Sequence, residues 1–223
     1  MSEYSYFHID APERESLQHQ WRDLIAPYAP DAARAAEVWQ QLCTLHDEPH
    51  RAYHNFSHVN ALLLMAEDLR ERRRLSDATV VAFAIWFHDA VYQPRRDDNE
   101  ARSADLAVSS LDSLNVPAEI TERVRGLILA TKTHSAAGLD NDGQLFLDLD
   151  LAILGAPPDT YRAYREAIRA EYSWVPAFFY RRARRKILQG FLDRENLYFT
   201  SDIGGLRETQ ARENIAEELQ TLA

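Results

Sequence analysis

Three short stretches of this chain place histidine or aspartate among apolar residues. The first, Thr79 to Tyr92, is apolar except where it delivers His88 and Asp89 side by side near its end. An ionised aspartate is expensive to bury unless it is paired or bound to a cation. Taken alone, His88 also reads as a core histidine bonded to a backbone carbonyl, with Asp89 at an exposed helix end. The second stretch, Tyr53-His54-Asn55-Phe56-Ser57-His58, holds two histidines four residues apart, a spacing that can share one helix face. Tyr53 and Asn55 read as loop residues, so His54 precedes the helix, while His58 opens the apolar stripe and faces inward. Alone, His58 is most simply a satisfied core histidine. The third, Phe146 to Leu154, sets Asp148 and Asp150 inside an apolar run. Asp148 as a helix cap accounts for one aspartate; a metal accounts for the second. Together the stretches supply two imidazoles and two carboxylates. That mixed set suits Mn²⁺, Fe²⁺, Co²⁺, Ni²⁺, Mg²⁺ or Zn²⁺ with positions left open for water. Such an ion lowers the pKa of water, orients it and offsets charge on a phosphoryl oxygen, which is the logic of hydrolysis.

The elements that must position these groups read as helices. Hydrophobic residues make up 46% of the 223, enough for a sizeable core, and glycine is scarce at 7. Ala, Leu, Glu and Arg dominate, and these are strong helix formers. The expectation is an all-α fold. Helices are predicted over 13–26, closed by Pro27 and Pro30, over 32–46 behind an Asp31 cap, and over 56–74 with Val59, Leu62, Leu63, Ala66 and Leu69 on one face. A fourth, started by Ser76 or Asp77, runs to Val91 before Pro94; its middle is apolar on every side, so protein surrounds it. Further helices are predicted over 97–114, 117–133, 157–172, 176–193 and 206–222. Residues 135–143 read as a loop and 145–154 as a short apolar segment ending at Gly155.

The formal net charge is −10, so broad binding to a nucleic-acid backbone is disfavoured, although a local metal or arginine can reverse the sign inside one pocket. The run Arg181-Arg182-Ala183-Arg184-Arg185-Lys186 is the main basic cluster; it reads as a solvated helix face, or alternatively as the source of one arginine that holds phosphate bidentately. The single Cys43, beside Val38, Trp39, Leu42 and Leu45, offers no disulfide and reads as buried packing. The first sixteen residues are acidic and carry no apolar signal region, and the near-apolar run 78–91 is too short to span a bilayer. The expected location is cytoplasmic.

The order His58, then His88-Asp89, then Asp150 resembles the HD superfamily, which is defined by a His, a later adjacent His-Asp and a distant Asp on a helical bundle. More specifically, five phrases are similar to a bacterial group described as predicted metal-dependent HD phosphohydrolases: Arg51 to His58, Trp86 to Tyr92, Asn99 to Ala104, Ala130 to His134, and Leu147 to Gly155. The resemblance covers about residues 50–200. It implies a single HD-type bundle of nine to ten helices over 1–223, with the helices at 13–46 and 206–222 packed on the core. It implies one divalent metal ion held by His58, His88, Asp89 and Asp150. Asp148 is the alternative; Asp150 is preferred because the superfamily's last aspartate commonly precedes a Leu-rich helix like Leu151 to Leu154. Glu100, Asp89 and His134 are the implied catalytic residues, with Glu100 orienting or deprotonating water despite Asn99 standing where related proteins have His. Surface roles are the alternatives for Glu100 and His134. His54, Lys132 and Arg51 are the implied contacts to substrate.

The implied activity is hydrolysis of a small phosphorylated metabolite, a nucleotide among the candidates, by metal-activated water. The implied partners are that substrate and no nucleic-acid polymer or membrane, with a homo-oligomer allowed. One alternative is an HD-fold di-iron oxygenase; two-metal members carry extra histidines between the His-Asp pair and the last Asp, and here only His134 lies in that interval. The other is a non-catalytic ligand-binding domain stabilised by its metal.

Overall fold

The computed structural model describes residues 9–222, and among these there are ten α-helices, two short 3-10 turns and no strand. The all-α expectation holds. The chain divides into two compact units, the first ending at Gly138 and the second beginning at Leu139.

The first unit contains α1 (Ala11–Ile25), α2 (Ala32–His46), α3 (Phe56–Glu71), α4 (Ala78–Phe87), α5 (Asn99–Ser113) and α6 (Ala118–Thr131). Local chemistry sets most of their starts. Asp10 accepts from the Glu13 N–H while the Glu13 carboxylate accepts from the Asp10 N–H, a reciprocal cap that begins α1 two residues before the predicted start. Asp31, Asn55 and Asp77 cap α2, α3 and α4, each side chain accepting one first-turn N–H. Helix α3 stops at Glu71 rather than 74 because Arg73 takes a left-handed conformation with φ 56°.

Helix α4 is the centre of this unit. Val80, Val81, Phe83, Ala84, Ile85, Trp86 and Phe87 are all buried, and each large side chain taken fully from water contributes about 2 kcal/mol. It packs on α3, α5 and α6. Trp21 of α1 meets Phe83, Trp86 and Phe87 edge-on, with centroids 6.3, 5.6 and 6.0 Å away, an arrangement the ring quadrupoles favour. Helix α2 buries Val38 and Leu42, but Cys43 is half-buried beside Arg14 and Asp47 rather than in the core.

The second unit contains α7 (Asn141–Asp150), a 3-10 turn (Leu151–Gly155), α8 (Pro158–Glu171), α9 (Ala177–Leu192) and α10 (Ser201–Thr221). Asp140 caps α7 through the Gly143 N–H, so residues 141–143, read as loop from their Gly, Asp and Asn content, are helical. Helix α10 lies over the 3-10 turn. Its Asn214 side chain donates to the carbonyls of Leu154 and Ala156, both at 2.8 Å, and so satisfies acceptors that the end of a helical run leaves open. Helix α10 begins five residues before the predicted Leu206. The buried Asp148 carboxylate accepts from the N–H of Phe199 at 2.7 Å and of Thr200 at 2.8 Å, which fixes the chain just ahead of the helix.

Candidate metal centre

Within the first unit, two helix boundaries bring the His58 and His88 rings together. His58 is the third residue of α3 and is buried. Asn55 holds that boundary: its Oδ1 accepts from the Ser57 N–H at 2.8 Å. His88 follows the last residue of α4 and is also buried. Its Nδ1 lies 2.9 Å from the Ile85 carbonyl. A carbonyl only accepts, so Nδ1 carries the proton and Nε2 of a neutral ring keeps its lone pair.

That lone pair faces the other histidine. The two Nε2 atoms are 3.1 Å apart. Asp89 Oδ2 is 3.1 Å from His88 Nε2 and 3.9 Å from His58 Nε2, and the Asp89 side chain is about one-fifth exposed. Two nitrogens bound to one ion at about 2.1 Å each, at roughly right angles, are themselves about 3 Å apart. The spacing therefore fits two donors on a single cation, with a carboxylate oxygen beside them. The carbonyl bond at Nδ1 is the second-sphere contact that fixes tautomer and ring orientation in metal-bound histidines. The donor types and their convergence suit a divalent ion.

Arg51, expected to contact substrate, holds this segment in place. Its side chain is fully buried. Nη1 donates to the carbonyls of His54 at 2.9 Å and Asp89 at 2.6 Å, Nη2 donates to Ala90 at 2.9 Å, and Nε donates to Glu48 Oε2 at 3.0 Å. With four bonds inside the protein, the guanidinium is committed to positioning the turn that carries Asp89. The same bonds explain why α4 ends at Phe87 rather than Val91. The carbonyls of Asp89 and Ala90 are turned toward Arg51, and Ala90 closes a tighter turn onto Phe87.

The loop beyond is latched by residues whose role the sequence did not disclose. Ser103 Oγ accepts from the Val91 N–H at 3.0 Å and donates to the Val91 carbonyl at 3.2 Å. Asn99 exchanges two bonds with the backbone of Gln93. Both lie in the phrase Asn99 to Ala104, where the available signal was a short polar residue at helix spacing on an otherwise apolar face.

The remaining expected residues are placed as follows. The half-buried His54 ring stacks on Tyr92 at 4.1 Å and lies 6.1 Å from the His58 ring. Glu100 is half-buried in the first turn of α5. Lys132, exposed at the end of α6, donates to the Asp97 carbonyl at 2.5 Å. His134 is half-buried, with φ 45° and its N–H donated to the Ala130 carbonyl. In the second unit Asp150 is the half-buried last residue of α7.

Asp148 caps neither its own helix nor a water-facing edge. It is completely buried, and Thr200 Oγ1 adds a third donor at 2.7 Å. Burial pushes its carboxyl above the usual range, while the donors of Phe199 and Thr200 oppose that rise. Its two oxygens are thus consumed in holding α10.

No protein-family model matches the chain, and no curated protein matches it. Among the described residues no helix is long and apolar enough to cross a membrane.

Proposed function

We propose that this chain is a metal-dependent phosphohydrolase acting on a small phosphorylated metabolite, with nucleotides among the candidate substrates. The observation that carries the reading is the facing pair of Nε2 atoms 3.1 Å apart with the Asp89 carboxylate beside them. Asp150 is the further ligand in this proposal, taken from the order His58, His88-Asp89, Asp150 in the sequence. Asp148 is set aside because its oxygens are already engaged.

A bound divalent ion supplies Lewis acidity toward water and toward a phosphoryl oxygen. The chain's own residues do the rest. His58, His88, Asp89 and Asp150 hold the ion. His54 and Lys132 offer donors to phosphate oxygens. Glu100 takes the proton from the attacking water, and His134 gives one to the leaving oxygen. Arg51 keeps Asp89 in place.

The test is metal content by mass spectrometry on protein purified without added metal or chelator, followed by phosphate release from a panel of phosphoesters under Mn²⁺, Co²⁺ and Ni²⁺. About one equivalent, lost in His88→Ala and in Asp89→Ala, together with turnover that follows the metal, is the expected result. No ion retained after incubation with each of these metals sinks the reading. Two equivalents of iron with oxygen-dependent turnover replaces it with an oxygenase.

A further inference from the structure

Helix α9 is the least covered element of the second unit. Of its sixteen residues only Arg184 and Leu188 are buried. Arg184 is spent inside the unit: Nε and Nη2 donate to the Glu218 carboxylate at 2.9 and 3.1 Å. The other cations of the run, Arg181, Arg182, Arg185 and Lys186, are exposed, and none pairs with a carboxylate among the described residues. By contrast Arg34, Arg70, Arg72, Arg96 and Arg162, also exposed, each pair with a nearby carboxylate. Large apolar groups stand one turn ahead of these cations: Phe178 is 63% exposed and Phe179 61%. Aromatic and arginine side chains together are the composition of a protein interface rather than of a solvated surface.

The complementary face is on α10. Leu206 is 78% exposed, and Glu213 and Glu217 are exposed seven and eleven residues further on, along the same stripe of the helix. On α9 the matching stripe is Phe179, Arg182 and Lys186, at helical spacings of three and seven. One helix offers an apolar group followed by two cations, and the other an apolar group followed by two anions.

We propose that α9 of one copy docks on the exposed stripe of α10 in a second copy, forming an isologous homodimer. Two-fold symmetry repeats the contact, so each copy gives one basic and one acidic helix and no unpaired face is left over. Charge decides the occupant. A second copy supplies, in the exposed Glu213 and Glu217 of α10, the acid that the exposed Arg182 and Lys186 of α9 need. The inference is independent of any catalytic role.

The experiment is sedimentation velocity on the full chain across a concentration series at low and high salt, with circular dichroism to confirm folding. Wild type is expected to form a dimer that weakens as salt rises. Arg182→Glu/Lys186→Glu and Glu213→Lys/Glu217→Lys change only exposed side chains, and each is expected to weaken self-association by about a hundredfold or more through like-charge repulsion. Mixing the two double variants restores opposite charges at both contacts and is expected to recover the dimer. A monomeric wild type at every concentration overturns the proposal. So does a dimer that survives both double variants, a mixture that stays monomeric, or co-sedimentation with phosphatidylserine vesicles in place of dimerisation.

Discussion

At the scale of single residues, the structure separates side chains that hold the site from side chains that could take part in it. Arg51 is the clearest holder. Arg51→Ala strips the partners from three carbonyls and from Glu48, and breaking such a buried charged contact costs about 3 kcal/mol. Denaturant unfolding is expected to show that loss and calorimetry a weaker metal affinity, with Arg51→Lys recovering only part of both because an ammonium lacks the planar fork. The two aspartates of α7 divide in the same way. Asp148→Asn replaces one acceptor oxygen with a donor facing other donors, so stability falls by about 2 kcal/mol while metal affinity is kept. Asp150→Asn is expected to do the reverse; equal effects from the two on metal binding would remove Asp150 from the ligand set. His46 supplies a pH test. It is fully buried, stacks on Phe56 and bonds the Leu42 carbonyl, and burial, reinforced by the positive Arg51, lowers its pKa from 6.5 to about 3. Between those values the unfolded chain binds a proton that the folded chain refuses. Its contribution is therefore fully present above about pH 6.5 and falls away as pH drops toward 3. In a urea series over that range, His46→Gln is expected to flatten the slope.

At the scale of elements, what was legible in the sequence was whatever local chemistry decides. Asp31 and the 3.6-residue periodicity gave α2 its observed bounds, and α3 and α4 began where a capping residue met an apolar run. The errors sit where a distant residue decides. The end of α4 depends on Arg51, 38 positions earlier, and the start of α10 depends on Asp148, 51 and 52 positions before the amides it holds. A buried arginine that serves carbonyls is written with the same letter as one that serves phosphate, so the role of Arg51 was not readable either. The convergence of His58 with His88-Asp89 was expected from the order of these residues and the resemblance it carries; taken singly, each histidine read equally as a core residue. Gly155 gives a test of element packing. A Cβ there would lie 2.6 Å from both Cβ and the carbonyl oxygen of Arg207 on α10. Backbone cannot yield as a side-chain tip can, so Gly155→Ala is expected to cost about 2 kcal/mol. In hydrogen exchange the loss should concentrate in α10 and spare α4; an unchanged midpoint would mean that the helix shifts freely.

At the scale of the whole molecule, charge and stability meet in the metal. The −10 net charge opposes approach of an anionic substrate but favours a divalent cation, and in the proposed centre His58, His88 and Asp89 converge where such an ion would sit. If the proposed centre binds an ion only in the folded state, mass action links occupancy to stability. Free metal at a hundred times its dissociation constant adds about 2.7 kcal/mol. For a chain of this size each kcal/mol moves the midpoint by about 2–4 °C, so scanning calorimetry should register a rise of roughly 5–10 °C when Mn²⁺ or Co²⁺ is added to chelator-treated protein. The same addition should leave His88→Ala unmoved, because removing one of the facing nitrogens leaves too few donors to hold the ion against water. The shift should also shrink in mild acid, where protons compete for the imidazole lone pairs. A midpoint raised equally in wild type and His88→Ala would assign the effect to scattered surface carboxylates, and a midpoint raised in neither would leave the 3.1 Å approach of two imidazole nitrogens as a proton-bridged pair inside the helical core.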